Sequence, residues 1–130
     1  SVKLRSLDDD NSQRRMIAQY YIDNINNDNV ILPFKKGTSL TAMQSHVFHV
    51  FAVRVADRKT FQQYLSDNGI QTVIHYPIPP HKQQAYSEWK QLSFPISETI
   101  HNEIISLPIS PIMSQQDYST VAEVINNYKP

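Results

Sequence analysis

The fold is decided by residues 46–74, which read HVFHVFAVRVADRKTFQQYLSDNGIQTVI. Both alternating faces of residues 46–55 are largely apolar, as is typical of a central strand that is covered on both sides. Asp57 has the position of a helix N-cap, and Gly69 stands where a left-handed residue would end that helix. Residues 70–74 follow as a second strand. The stretch therefore predicts a β-α-β unit.

Upstream of this unit, the sequence predicts a long N-terminal helix over residues 1–26, because it lacks glycine and proline and repeats apolar residues at helical spacing. Leu4 and Leu7 give the start of this helix an apolar face that has no use on an isolated chain. We therefore expect it to meet another domain or subunit. The abrupt start at Ser1, without Met or a cap, predicts a piece of a longer protein.

The remaining sequence predicts short elements around the β-α-β unit. Residues 30–32 form a strand stopped by Pro33, residues 83–89 a short helical piece, and Ser97 caps a helix that carries Ile100 and Ile104 on one face. A capping box, Ser114 with Asp117, begins a final helix whose inward residues are Tyr118, Val121, Ala122, Ile125 and Tyr128. The predicted class is α+β, with a small sheet of about three to four strands covered by helices, in one domain over residues 1–130.

Composition excludes several classes of function. Lys plus Arg and Asp plus Glu are both 12, so the formal net charge is 0 and a nucleic-acid partner is not expected. The chain has no apolar run long enough to cross a membrane. The absence of cysteine excludes disulfides and thiolate chemistry and permits a reducing cytoplasm. Two glycines, Gly37 and Gly69, are too few for a glycine-rich phosphate loop.

The common catalytic side chains form no persuasive site. Among the five histidines, His46 and His49 point to opposite faces of the predicted strand, and the others have no metal-ligand spacing. His49 shares an apolar face and is interpreted as a core histidine. A Ser-His-Asp triad stays open because triads are spatial. All seven lysines lie in polar stretches, whereas a Schiff-base lysine needs a desolvated pocket.

The best local site is His75-Tyr76, at the end of the second strand. Three prolines, at 77, 79 and 80, stiffen the segment that follows, so little entropy would be lost on binding. The imidazole and the phenol could bond a sugar hydroxyl or a phosphate. The structural alternative is that Tyr76 and Pro77 cover the sheet edge and His75 bonds a backbone carbonyl.

These residues carry a resemblance to a known family. Residues 49–86, HVFAVRVADRKTFQQYLSDNGIQTVIHYPIPPHKQQAY, resemble the C-terminal small domain of the DegT/DnrJ/StrS-type sugar-nucleotide aminotransferases. A later pattern of the family, FP..E followed by LP..P..S, appears here at the positions Phe94, Pro95, Glu98, Leu107, Pro108, Pro111 and Ser114. The opening residues are similar to the helix that begins this domain, so the resemblance covers the whole chain.

The resemblance implies a fold-type I enzyme that depends on pyridoxal phosphate (PLP). Such enzymes transfer an amino group from glutamate to a keto-deoxysugar on a nucleoside diphosphate, in routes such as lipopolysaccharide synthesis. It implies a cytoplasmic homodimer, and it implies substrate binding by His75 and Tyr76. The aldimine lysine and most phosphate contacts would belong to a larger N-terminal domain, which leaves this chain without catalytic or cofactor-binding residues and inactive alone.

Two other functions stay open on the sequence. One is a non-catalytic α+β interaction module, which the neutral charge and the apolar start of the first helix would suit. The other is a PLP-dependent sugar dehydratase of the same family, in which histidine replaces the lysine. The sequence does not select the sugar, the carbon that is aminated, or UDP against dTDP as carrier.

Overall fold

The computed structural model describes residues 2–130 and is α+β, as predicted. Its α-helices are α1 (Leu7–Asn24), α2 (Arg58–Asp67), α3 (Pro95–Glu103) and α4 (Gln115–Asn127), and its strands are β1 (Phe51–Arg54) and β2 (Ile104–Leu107). Three 3-10 helices are Val2–Arg5, Pro80–Lys82 and Gln84–Trp89. Within the described residues, none of the helices has the length and apolar character needed to span a membrane.

The sheet is smaller than the three to four strands predicted. β1 and β2 pair antiparallel, with Phe51 opposite Leu107 and Arg54 opposite Ile104. The other two predicted strands each contribute one bridge, Ile31 with Arg54 and Val73 with Ser106. Pairing stops beyond Ile31 because the next residue that could donate to β1 in this register is Pro33, which has no N–H.

The predicted β-α-β unit is present with β2 inserted into it. After α2 the chain returns to the sheet at Val73, which exchanges backbone hydrogen bonds of 3.3 and 2.8 Å with Ser106 of β2. Since β1 and Val73 are both antiparallel to β2, they run parallel to each other on its two sides. This topology brings the residues after Val73 to the edge of the sheet.

The predicted strand over residues 46–55 begins only at Phe51. Phe48 has a positive φ of 50°, and its N–H donates to His46 Nδ1 at 2.9 Å, a local turn that interrupts extended backbone. His49 is exposed as a result, and its interpretation as a core histidine is wrong. β1 is central, but only the face with Phe51 and Val53 is fully buried.

The leading helix is divided at Ser6. A 3-10 turn, Val2–Arg5, precedes α1, and Ser1 lies outside the described residues. The second half of α1 buries Ile17, Ala18, Tyr21 and Ile22 against the core. Leu4 stays 68% exposed and Leu7 44% exposed, so the described residues leave a large part of this apolar start uncovered.

One buried hydrogen bond ties this helix to the chain beyond β2. The Tyr21 hydroxyl donates to the carbonyl of Pro108 at 2.7 Å, and its ring packs edge-on against Phe51. Burial, more than the charge of Asp117, raises the pKa of the Tyr21 phenol. The phenol therefore stays protonated, and it fixes α1 to the start of the segment that leads into α4.

The predicted end signals of α2 and α4 are confirmed. The Asp57 side chain accepts from the Thr60 N–H at 3.1 Å, and Gly69 has φ +77°. Ser114 and Asp117 form the predicted capping box. Both boundaries of α3 differ from the prediction, because this helix starts at Pro95, a favoured first helical residue, and not after Ser97, and because Ile104 begins β2 and does not belong to the helix.

Candidate functional site

His75 and Tyr76 lie directly beyond the Val73 bridge, at the edge of the sheet. His75 is half-buried, and its Nδ1 is 2.9 Å from the hydroxyl of the buried Ser106 on β2. Tyr76 is 65% exposed, and its ring stands perpendicular to the imidazole with centroids 5.4 Å apart. The sheet therefore holds the imidazole from one side and leaves the phenol open.

This geometry differs from the structural alternative for the pair. His75 bonds a serine hydroxyl and not a backbone carbonyl, and most of the Tyr76 side chain is exposed. Among the described residues, no hydrogen bond is made by His75 Nε2 or by the Tyr76 hydroxyl. Both groups can therefore bond a molecule outside the chain.

His101, at the last turn of α3, fixes the backbone beneath Tyr76. Its Nδ1 lies 2.5 Å from the Tyr76 carbonyl oxygen. Because a carbonyl only accepts, the proton of this hydrogen bond is on Nδ1 of His101. The sequence alone does not predict this contact, since the two residues are 25 positions apart in the chain.

A second contact between α3 and the same segment joins His81 to Glu98. His81 is only 5% exposed, and its Nε2 donates to Glu98 Oε1 at 2.9 Å. The same oxygen accepts from the Phe94 N–H at 3.0 Å. His81 belongs to the stretch over residues 49–86 that resembles the family, and Glu98 belongs to the later FP..E pattern. Only the fold brings the two residues together.

The charge of Glu98 is stabilised where it lies. The backbone N–H of Phe94 contributes most to lowering the pKa of its carboxyl, followed by the His81 side chain. Lys82 adds a cation 3.8 Å away, and its amino group also donates to the carbonyls of Lys90 and Leu92. Glu98 is consequently an ionised acceptor at neutral pH.

The described histidines do not form a metal site. Within residues 2–130, no group of three or more His, Cys, Asp or Glu side chains is arranged to hold a metal ion. His46 Nδ1 already accepts from a backbone N–H, and His81 and His101 are engaged in the contacts above.

The described residues also do not fit PLP. Lys35, Lys36, Lys59, Lys90 and Lys129 are exposed, and the half-buried Lys82 is engaged by two backbone carbonyls and lies beside the Glu98 carboxylate. Gly37 lies in a turn and Gly69 follows the end of α2, so the two glycines do not form a glycine-rich phosphate loop. No chemical step through PLP is derived from this chain.

An exposed apolar surface adjoins the site. A groove of about 510 Å³ runs along the start of α3, with His101 at one side. Ile96 there is 80% exposed, and the rings of Tyr86 and Trp89 stack nearby, with centroids 4.8 Å apart and planes 5° apart. A second groove, lined by Pro80, His81, Trp89, Leu92, Phe94 and Ser97, shares Phe94 and Ser97 with the first.

Comparison with known proteins places these features in a family. The model of the DegT/DnrJ/EryC1/StrS aminotransferase family matches residues 1–126. The chain belongs to this family, which confirms the resemblance seen in the sequence.

Individual relatives agree with that assignment. The chain is 56% identical over 128 residues to dTDP-3-amino-3,6-dideoxy-alpha-D-galactopyranose transaminase of Aneurinibacillus thermoaerophilus, covering 98% of this chain and 34% of the relative. S. venezuelae DesV, solved in complex with a ketimine intermediate, superposes with a TM-score of 0.84 at 27% identity, over 96% of this chain and 33% of DesV. NtdA of Bacillus subtilis, solved with bound cofactor PMP, gives a TM-score of 0.75 at 26% identity, over 89% and 27% of the two chains.

The chain thus spans about one third of the length of these relatives.

Proposed function

We propose that residues 1–130 are the C-terminal small domain of a PLP-dependent aminotransferase, which transfers an amino group from glutamate to a keto-deoxysugar on a nucleoside diphosphate. The observation that carries the proposal is the open His75-Tyr76 pair, held at the sheet edge of a chain that is 56% identical to a sugar-nucleotide transaminase. PLP and its aldimine lysine would be supplied by polypeptide beyond this chain. The enzyme would be a cytoplasmic homodimer.

The same relative favours a particular substrate class. As its name states, that transaminase acts on a dTDP-linked 3-amino-3,6-dideoxy sugar, which supports dTDP as carrier and C3 as the aminated carbon here. Amination is also favoured over dehydration, because this relative is a transaminase. A sugar of this kind suits a surface polysaccharide such as lipopolysaccharide.

In this enzyme the residues of the chain bind and orient the sugar. PLP supplies the electron sink for amino transfer. Ser106 holds the His75 imidazole at Nδ1 and so directs Nε2 away from the sheet toward a sugar hydroxyl. The Tyr76 phenol offers a second hydrogen bond or a stacking face, and the prolines that follow limit how far it can move.

The proposal is tested with the full-length enzyme, PLP, glutamate and a panel of keto-sugar nucleotides that differ in carrier and in keto position. We expect mass spectrometry to detect an amino sugar with the dTDP-linked 3-keto-6-deoxy substrate, at a higher rate than with UDP-linked or 4-keto substrates. A deoxygenated product without nitrogen would instead show a dehydratase. A lack of reaction with the whole panel, by an enzyme that has bound PLP, would overturn the proposal.

A further inference from the structure

Helix α3 holds the candidate site at two points on one of its faces. Glu98 contacts His81, and His101 contacts the Tyr76 carbonyl. Residues three positions apart in a helix project from the same side, so both contacts reach the one segment that runs from Tyr76 to His81. The site segment is therefore bound to α3 at both of its ends.

We propose that Glu98 is a positioning residue of the sugar site: together with His101, it fixes the segment between Tyr76 and His81 and so places the Tyr76 phenol for the sugar. This inference rests on the proposed function. Glu98 itself does not touch the sugar, and it acts through His81.

The segment between Tyr76 and His81 is stiff, so the position of His81 affects the position of Tyr76. Pro77, Pro79 and Pro80 lie between the two contacts, and proline fixes φ. A flexible linker would absorb a shift of His81, whereas a proline-rich segment transmits it toward Tyr76. Pro79 is itself buried, which further restricts the segment.

Loss of the Glu98 carboxylate would leave two donors without their acceptor. His81 Nε2–H is buried, and the Phe94 N–H lies at the start of α3. Leaving a buried donor unpaired is unfavourable, so His81 would turn to find another partner. Its ring packs edge-on against Phe94, with centroids 4.9 Å apart, and this packing would be disturbed by the turn.

The chain provides a matched control on the same helix. Glu103, at the end of α3, pairs with Arg54 of β1 at 2.7 Å, and both side chains of this pair are partly exposed, as is Glu98. The hydrogen bonds of Glu103 are with β1 and not with the segment from Tyr76 to His81. Replacing Glu103 therefore tests the effect of losing a carboxylate from α3 while the segment from Tyr76 to His81 keeps its contacts with this helix.

The experiment compares Glu98→Ala, Glu98→Gln and Glu103→Ala in the full-length enzyme, and follows the glutamate and sugar half-reactions separately through the cofactor spectrum. A misplacement of about 1 Å can cost on the order of a hundredfold in rate, so a partial shift in Glu98→Ala is expected to slow the sugar half-reaction by about tenfold. The glutamate half-reaction should be unchanged. Glu98→Gln should recover most of the rate, because its amide oxygen can accept from the same two donors.

Glu103→Ala should lower the melting temperature and leave both half-reactions unchanged. An unchanged sugar half-reaction in Glu98→Ala, an equal loss in both half-reactions, or the same selective loss in Glu103→Ala would overturn the positioning role. If Glu98→Ala is insoluble, His101→Ala, which removes the contact to the Tyr76 carbonyl, must show the selective loss. An unmodified enzyme that aminates no sugar would overturn the proposed function itself. An active unmodified enzyme whose variants behave otherwise than expected would overturn only the positioning role, so the two failures are distinguishable.

Discussion

In the full-length enzyme, His75→Ala is expected to reduce turnover of the sugar nucleotide by about a hundredfold while PLP binding persists. The imidazole is held by Ser106 at one nitrogen and is free at the other, so its removal deletes an oriented contact to the sugar. Tyr76→Phe removes only a hydroxyl and is expected to cost about tenfold, in the range of one good hydrogen bond to substrate. Both rates are measured at saturating glutamate, with the cofactor spectrum recorded for each variant.

Tyr118→Phe is the control for the phenol. Tyr118 is half-buried on α4, where its ring packs against Tyr20, and it takes no part in the site. This variant should keep full turnover. Full activity of both His75→Ala and Tyr76→Phe on the natural sugar would show that the pair is structural, in which case the function assigned to it is wrong.

Ile105→Ala is expected to lower the free energy of unfolding by about 2 to 5 kcal/mol, the range for deleting a buried isoleucine side chain. Ile105 is 0% exposed on β2, where it lies opposite Val53 and next to Ser106. The cavity would open in the strand that holds both the core and His75. Urea unfolding of the chain, followed by far-ultraviolet circular dichroism, measures the loss.

Ile112→Ala makes the same chemical change at a site that is 90% exposed. Its effect should stay within about 0.5 kcal/mol, as for most surface substitutions. Equal losses in the two variants would mean that the core does not lie where the structure has it.

Features that depend on neighbouring residues were predictable from the sequence. The Asp57 cap, the left-handed Gly69 and the Ser114–Asp117 capping box each involve atoms only a few residues apart. The buried face of α4 also follows from helical spacing, and four of its five predicted inward residues, Val121, Ala122, Ile125 and Tyr128, are buried.

Strand lengths and the supports of the site were less predictable, because they depend on distant partners. No residue type in positions 46–50 predicts the turn at Phe48, which excludes these residues from β1. The position of β2 beside Val73 is decided by residues more than thirty positions downstream. His81 and Glu98 were visible as parts of two family patterns, but only the fold shows that one binds the other.

Reduction with borohydride in the presence of PLP tests the central claim most directly. We propose that this chain shapes and orients a sugar site, while the lysine that binds PLP belongs to other polypeptide. Mass spectrometry should therefore find a stoichiometric pyridoxyl-lysine in the full-length enzyme and none on the 130-residue chain expressed alone. A stoichiometric pyridoxyl group on any lysine of the isolated chain would contradict the account.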